Sequence, residues 1–221
     1  MLLAIDTCGS LGTVALARLS GDAADHLHVL AEIELPGKTY SAQLIPAIQE
    51  LLATHRAPVA DLEAIVVTSG PGSFTGIRVG LSAAKGLAEA HATPIVAVSR
   101  LAVLAHKAGT AAAALDASRG EFYFGDYSGS TSRESLLSHS LLQQKAAALG
   151  PQLAIGEESV AGPAPNAAFV DLPAAEDAIR FALPRLRARD FDDPVTLDGR
   201  YIRRSDAEIF SKPKLNPAAR P

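Results

Sequence analysis

The sequence predicts an α/β protein of two similar halves, each a mixed sheet that begins with a β-hairpin and is accompanied by helices. The stretch AALDASRGEFYFGDY (113–127) resembles LAIDTCGSLGTVALA (3–17): an apolar strand ends in Asp, small residues and a glycine follow, and a second apolar strand begins. Asp6 and Asp116 lie 110 residues apart in a chain of 221. An internal duplication explains both observations, and a chance similarity of two hairpins is the alternative.

Short apolar runs predict the strands of the first half, and an amphipathic pattern predicts its first helix. The predicted strands are residues 2–5, 13–19, 29–35, 64–68 and 94–98, with a turn at 9–12 joining the first two. The predicted helix covers about 41–55, and its apolar face contains Leu44, Ile45, Ile48, Leu51 and Leu52. A second helix is predicted over about 75–90.

In the second half, residues 162–173 predict a loop followed by a buried strand, and a helix starts near Asp171 or Pro173. Acidic residues lie early in this helix and arginines late, as the helix dipole favours. An RNA-binding surface is the alternative for the arginines at 180, 185, 187 and 189. The tail from Lys212 has too little apolar content to pack. We expect domains at 1–100 and 101–221, with the C-terminal segment packing back on the first.

Composition excludes several classes of function. The chain is 48% hydrophobic and 20% charged with a net charge of −4, so it lacks the basic field of an autonomous nucleic-acid binder. Its single cysteine, Cys8, excludes an internal disulfide and a cysteine-based metal cluster. No apolar run approaches the length of a membrane span, and the N-terminus lacks a signal-peptide pattern. We therefore expect a cytoplasmic protein without membrane contact.

The stretch SGPGSFTGIRVGLSAAKGLAEA (69–90) has the look of a nucleotide-binding loop but departs from both common patterns. A dinucleotide fingerprint fails because the glycine after Gly70 and Gly72 comes one position late, at Gly76. A Walker A loop fails because Ile77, not lysine, follows that glycine. The pattern instead predicts a strand-to-helix turn, with Ser73 or Thr75 as the helix N-cap, in which the glycines serve packing.

Within the helix that follows, small residues recur every four positions at Gly76, Gly80, Ala84 and Ala88. Such a ridge lets another element approach the helix backbone closely. The spacing alone supports packing on the chain's own sheet and contact with a neighbouring protein equally.

Candidates for catalysis and metal binding are few. His26 and His28 have no evident third ligand, and Cys8 has no histidine beside it, so a structural thiol is favoured. Asp6 and Asp116 occupy the position of the nucleotide-site aspartates of sugar-kinase and actin-like folds, but Cys8 and Ser118 replace the glycine of D-x-G. The nearest candidate for a second glycine loop, 156–158, would place two carboxylates against a polyphosphate. No catalytic, cofactor-binding or metal residue is assigned.

The residues described so far also show a resemblance to a family. SGPGSFTGIRVGLSAAKGLA resembles the signature of the bacterial TsaB (YeaZ) family. Other matching landmarks are IDT at 5–7, SAQLIPAIQELL at 41–52, DASRGEFY at 116–123 and RYIRR at 200–204. The chain has Tyr40 where many relatives have histidine.

The resemblance implies the duplicated actin-like (ASKHA, ribonuclease H-like) fold with degenerate nucleotide loops. It implies a non-catalytic scaffold of the complex that forms N6-threonylcarbamoyladenosine at position 37 of tRNAs reading codons that begin with A. The catalytic partner would be TsaD, the ATPase TsaE would join, the chain would form a homodimer when alone, and tRNA would be contacted indirectly. No cofactor is implied.

The resemblance also places the partner interface on the helices at 41–55 and 75–90. Leu44, Ile48 and Leu51 would supply bulk. The recess would be formed by Gly76, Gly80 and Ala84. Two other functions stay open at this point: an ATP-dependent small-molecule kinase of the same fold, and a metallopeptidase.

Overall fold

The computed structural model describes residues 1–20, 27–37, 39–129 and 131–203. His26, Arg204 of the RYIRR landmark and the tail from Lys212 lie outside the described residues.

Five strands of the first half form one sheet. They are β1 (Leu2–Asp6), β2 (Leu11–Leu19), β3 (Leu27–Pro36), β4 (Ala64–Thr68) and β5 (Ile95–Val98). Their order is β3-β2-β1-β4-β5, with β2 antiparallel to its neighbours and β4 and β5 parallel to β1. Both β1 and β4 are buried along their whole length, which explains their unbroken apolar sequences.

The second sheet repeats this topology. It contains β6 (Ala112–Asp116), β7 (Glu121–Asp126), β8 (Arg133–Ser138), β9 (Leu153–Ile155) and β10 (Ala168–Phe169), in the order β8-β7-β6-β9-β10. Again the second strand is antiparallel to the first and the fourth is parallel to it. The predicted duplicated actin-like fold is confirmed. The prediction of a buried strand within 162–173 was wrong, because β10 is a two-residue edge strand whose Phe169 is exposed.

The helices also correspond between the halves, but not in length. They are α1 (Tyr40–Thr54), α2 (Phe74–His91), α3 (Arg100–Ala108), α4 (His139–Leu149), α5 (Glu158–Ala161) and α6 (Ala175–Ala188). By position, α1 corresponds to α4, α2 to α5 and α3 to α6. The helix after the fourth strand has 18 residues in the first half and four in the second.

The last helix of each half packs on the sheet of the other half. Alternate residues of β1 face opposite ways: Leu3 and Ile5 pack with α1 and α2, whereas Leu2 and Ala4 pack with α6. Helix α3 packs on β6, β7 and β9 of the second sheet and also contacts α6. The division into 1–100 and 101–221 stays a prediction, and the packing of α6 on the first sheet shows that the halves share a core.

Candidate functional site

A cleft of about 1100 Å³ lies between the two halves, at the ends of β1 and β6 that carry Asp6 and Asp116. Its walls are the β1–β2 turn, residues 69–76, which we call the glycine loop, the β6–β7 turn and the C-terminal residues 200–203. The sequence predicted degenerate nucleotide-binding loops of an actin-like fold at these two aspartates. The cleft lies at the same place.

The two aspartates accept the same backbone hydrogen bond in both halves. Asp6 Oδ1 accepts a hydrogen bond of 2.8 Å from the backbone amide of Cys8, and Asp116 Oδ1 accepts one of 2.6 Å from that of Ser118. Each carboxylate thus fixes the residue that replaces the glycine of D-x-G. The rest of the turn differs in conformation, because residues 118–120 have positive φ and residues 7–10 do not. The two sites also differ in what else each carboxylate meets.

Asp6 is neutralised by an arginine of its own chain. Its Oδ2 lies 3.2 Å from Arg100 Nε, and the two residues are 1% and 4% exposed. Burial disfavours the charge on Arg100, but Asp6, Cys8 and Glu157 outweigh burial and raise the pKa of the guanidinium. Because the positive charge of Arg100 already neutralises this carboxylate, Asp6 is not available as a ligand for a divalent cation.

Asp116 faces a second carboxylate instead. Its backbone amide donates to Glu157 Oε2 over 2.6 Å. Burial raises the pKa of Glu157, the backbone bond and Arg100 act in the opposite direction, and Asp116 raises it further. Asp116 and Glu157 line this wall and oppose the entry of a polyphosphate. Of the two carboxylates that the 156–158 sequence predicted here, Glu157 lines the cleft and Glu158 does not.

The structure agrees with the predicted structural role of Cys8. The residue is buried, and its Sγ donates to the carbonyl oxygen of Thr68 over 3.4 Å. Burial, and then the nearby Asp6, raises the pKa of the thiol well above its usual value, so the reactive thiolate is disfavoured. Within the described ranges, no group of three or more His, Cys, Asp or Glu side chains is gathered into a potential metal site. His28 is exposed on β3.

The glycine loop packs directly on the backbone of the β1–β2 turn. The amide of Ser73 donates to the carbonyl oxygen of Cys8 over 2.7 Å, and Ser73 Oγ caps α2 by accepting from the amide of Gly76 over 3.2 Å. A Cβ on Gly72 would overlap the Cys8 carbonyl, and a Cβ on Gly76 would overlap the carbonyl oxygen of Thr7. These glycines serve backbone packing, as the sequence predicted.

Tyr40 supports the same turn. Its hydroxyl donates to the carbonyl oxygen of Gly9 over 2.7 Å. The first residue of α1 thereby holds the turn that the glycine loop contacts from the other side.

The ridge of small residues on α2 faces the chain's own sheet. A Cβ on Gly80 would overlap Thr7 Oγ1 and lie 3.5 Å from Ile5 Cγ2. Ala84 is fully buried in the same core. The spacing was compatible with packing on the chain's own sheet and with contact to a neighbouring protein. In the structure, the ridge packs on β1.

This packing corrects the six residues assigned to a partner interface. Each of them is buried in the first half: Leu44, Ile48, Leu51, Gly76, Gly80 and Ala84. Periodicity identifies which residues share a helix face, but the same pattern arises whether that face meets its own sheet or another protein. Any partner of α1 and α2 must bind the opposite faces.

The outward faces of these two helices carry few charges. On α1 the exposed residues along the outward midline are Ala42, Pro46, Gln49 and Ala53, and Ile45 and Glu50 are exposed beside them. On α2 they are Thr75, Ser82 and Gly86, with Arg78, Glu89 and Ala90 exposed beside them and Val79 half-buried. Ile45, which the sequence placed on the buried face, is 43% exposed. A Cβ on Gly86 would meet nothing within 4 Å, so no contact in the chain requires this glycine.

Two of the four arginines at 180–189 form ion pairs with neighbouring acidic residues. Arg185 contacts Asp190 at 2.7 Å and Asp192 at 3.2 Å, and Arg180 lies 3.9 Å from Glu176. No helix in the part of the chain that the structure describes has both the length and the apolar character needed to cross a bilayer.

Comparison with protein families gives one match over most of the chain. Residues 30–168 match the family model described as TsaD: tRNA N6-adenosine threonylcarbamoyltransferase. The tRNA threonylcarbamoyladenosine biosynthesis proteins TsaB of Escherichia coli and Bacillus subtilis are 35% and 38% identical over 132 and 130 residues. These alignments cover 57% of this chain and 54% of each relative, so the chain spans about half the length of these curated relatives.

Other relatives match along almost the whole chain. An uncharacterized protein of Mycobacterium tuberculosis is 30% identical over 210 residues, which is 94% of this chain and 93% of that protein. Two Pseudomonas aeruginosa structures are similar in fold. One is an uncharacterized protein with similarity to peptidase YEAZ (TM-score 0.72, 26% identity, 91% and 99% covered), and the other is YeaZ (0.69, 25%, 90% and 99%).

Proposed function

Because the chain belongs to the TsaB (YeaZ) family, we propose that it takes part in forming N6-threonylcarbamoyladenosine at position 37 of tRNA as a non-catalytic scaffold. In this role it binds the catalytic subunit TsaD, and the ATPase TsaE joins the assembly. In the absence of TsaD the same surface pairs two copies of the chain. Contacts with tRNA are made through the complex.

The observation that carries this proposal is the low charge of the outward faces of α1 and α2, which have only three exposed charged residues, Glu50, Arg78 and Glu89. Interfaces are depleted in charge at their centres, and exposed helix faces normally are not. Gly86 supports the same surface: a glycine inside an exposed helix costs about 1 kcal/mol relative to alanine, and close approach of a partner helix offsets that cost. The proposed interface therefore consists of these outward faces.

The non-catalytic part of the proposal is supported by the cleft. Arg100 pairs with Asp6, Cys8 is buried and protonated, and Glu157 stands beside Asp116. The size of the cleft keeps an ATP-dependent small-molecule kinase as the second candidate. Calorimetric titration of the isolated chain with Mg-ATP separates the two, since tight binding without a partner would contradict the scaffold.

The direct test of the function is reconstitution of tRNA modification with TsaD, TsaE and the other components, with and without this chain. We expect product only when the chain is present. Equal product formation in its absence would reject the scaffold.

The interface is tested by Gly86→Gln, which places a long side chain on the outward midline of α2. We expect affinity for TsaD, measured by titration calorimetry, to fall at least about tenfold, because the two helix backbones can no longer approach closely. The chain's own stability should not decrease, because glutamine is the better helix former.

The matched control for this variant is Ala147→Gln, an equally exposed position on α4 of the second half. It should leave the affinity unchanged. Loss of affinity in both variants, or in neither, would contradict the placement of the interface.

A further inference from the structure

Residues 190–203, which we call the strap, leave α6 and return across the first half. The amide of Asp192 donates to the carbonyl oxygen of Ile95 over 2.8 Å, and Asp192 Oδ2 accepts from the amide of Ala97 over 2.7 Å. Further on, the amide of Arg200 donates to the carbonyl oxygen of Ser69 over 2.7 Å. The strap is thus bonded first to β5 and then to the start of the glycine loop.

The end of the strap packs against the first turn of α2. The rings of Tyr201 and Phe74 have centroids 4.9 Å apart, and the guanidinium of Arg78 lies 3.9 Å from the Phe74 centroid and 5.8 Å from that of Tyr201. Gly199 is required on this side, since a Cβ there would come within 2.7 Å of Ile77 Cγ2. The strap therefore covers the flank of α2 that adjoins its outward midline.

A carboxylate of the second half holds the strap in place. Glu134, on β8, lies with its Oε2 3.0 Å from Arg200 Nη1, and their side chains are 8% and 51% exposed. The other oxygen of Glu134 accepts from the hydroxyl of Ser99, the N-cap of α3, and from that of Tyr127 over 2.8 Å. Three donors from three different segments converge on this buried carboxylate, which fixes its position.

A second arginine also ties the strap to the second half. Arg203 Nη1 donates to the carbonyl oxygen of Ala117 over 2.6 Å, and Arg203 Nε lies 3.6 Å from Glu121 Oε2. This contact is farther along the strap from the bond to Ser69, and Glu121 is half exposed, so it holds α2 less directly than Glu134 does.

We propose that Glu134 is a positioning residue for the first turn of α2. Through Arg200 and the strap, this residue of the second half fixes the position of the end of α2 that borders the partner surface. The second half has only the short α5 where the first has α2, so it contributes no long helix to that surface. Its influence on partner binding passes through the Glu134–Arg200 pair. The effect on a partner rests on the proposed function, whereas the effect on α2 does not.

The effect on α2 is measured by amide hydrogen exchange of the full chain without any partner, comparing Glu134→Gln with the unaltered protein. Glutamine keeps an oxygen for the Ser99 and Tyr127 hydroxyls but loses the ion pair with Arg200. We expect exchange over residues 74–80 to become faster by about tenfold or more, as for the loss of a charge-assisted hydrogen bond, while 85–91 stay unchanged. Unchanged exchange at 74–80, or a uniform increase along the chain, would overturn the proposal.

Two further variants sharpen this test. Glu121→Gln removes the more exposed ion pair with Arg203 and should change exchange at 74–80 less than twofold. An effect equal to that of Glu134→Gln would overturn the specific role of Glu134. Arg200→Met removes the same ion pair by changing its more exposed partner, and it replaces Glu134→Gln in this test if that variant does not fold. Because both changes remove one interaction, amide exchange in the double variant should be no faster than in either single variant.

The consequence for binding is measured as the dissociation constant with TsaD by titration calorimetry. We expect Glu134→Gln to weaken binding by about three- to tenfold, and Glu121→Gln to leave it unchanged. Faster exchange with unaltered affinity would overturn the link to the partner surface. If the unaltered chain does not bind TsaD, the proposed function fails, and the exchange experiment still decides the role of Glu134.

Discussion

The two halves of the molecule share one sheet topology but use the space after their fourth strand differently. In the first half β4 leads into the 18-residue α2, and in the second half β9 leads into the four-residue α5. The sheets, the aspartate-to-amide hydrogen bonds and the order of the helices are duplicated. Duplication thus accounts for the shared architecture, while the length of one helix distinguishes the half with the proposed partner surface from the half without it.

The halves also differ in the charges at the cleft. The first half buries Asp6 together with Arg100, so the ion pair has no net charge and the aspartate is shielded from solvent. The second half leaves Asp116 partly exposed next to Glu157. Equivalent aspartates therefore form a structural ion pair in the first half and part of an acidic wall in the second.

Arg100→Met, which leaves Asp6 buried without its partner, should have the largest effect on stability. We expect the free energy of unfolding, from urea denaturation, to fall by about 3–5 kcal/mol. Asp116→Asn, the change in the second half, should cost less than about 1 kcal/mol because its oxygen can still accept from Ser118. Similar losses in both variants would show that the two aspartates have equivalent roles.

The second test contrasts two glycines of α2. Gly76→Ala should lower the free energy of unfolding by about 1–3 kcal/mol, since the new methyl group would overlap the Thr7 carbonyl. Gly86→Ala should raise it by about 0.5–1 kcal/mol, because its site is open and alanine is the better helix former. Urea denaturation with equal m-values measures both, and destabilisation by Gly86→Ala would contradict the outward orientation of that face.

The smallest expected effect concerns the acidic wall of the second half. Because burial raises the pKa of Glu157 above its ordinary value of 4.5, the folded state binds this proton more tightly than the unfolded state. Stability from this group is therefore lost as the pH rises from about 4.5 through the folded pKa. Glu157→Gln keeps the acceptor for Asp116 and removes this loss, so stability near pH 7 should rise by at most about 1 kcal/mol.

The measurement for Glu157→Gln is the free energy of unfolding between pH 4 and pH 8. Glu158→Gln is the matched control, since the neighbouring side chain is exposed. A profile as steep as that of the unaltered protein would show that Glu157 does not titrate in this range.

Much of the fold followed from local patterns. The strands at 64–68 and 94–98 are continuous apolar runs, and the helices at 41–55 and 75–90 are strongly periodic, so their predicted bounds lie within a few residues of those observed. Helix α3 escaped prediction because its first six residues are all buried, between the second sheet and α6, which removes the polar face that periodicity detects. Strand β10 was misjudged because apolar residues also occur at exposed edges.

The candidate site also combines features that the sequence predicted with features that it did not. The broken D-x-G motifs and the displaced glycine predicted that the chain lacks a regular phosphate loop. The pairing of Arg100 with Asp6, residues 94 apart, had no signal in the sequence. The contact between Glu134 and Arg200 had none either, because no periodicity links residues that come together only when the strap crosses both halves.

Local periodicity and short motifs were sufficient to predict the duplicated α/β architecture, the family and the rows of residues that share a helix face. The direction in which each row points became known from the folded chain, since a row of small residues lowers the free energy equally well against the chain's own strand or against another protein. The direction was settled by Thr7 and Ile5 of the first strand and the turn after it, which occupy the recess that Gly76 and Gly80 leave open.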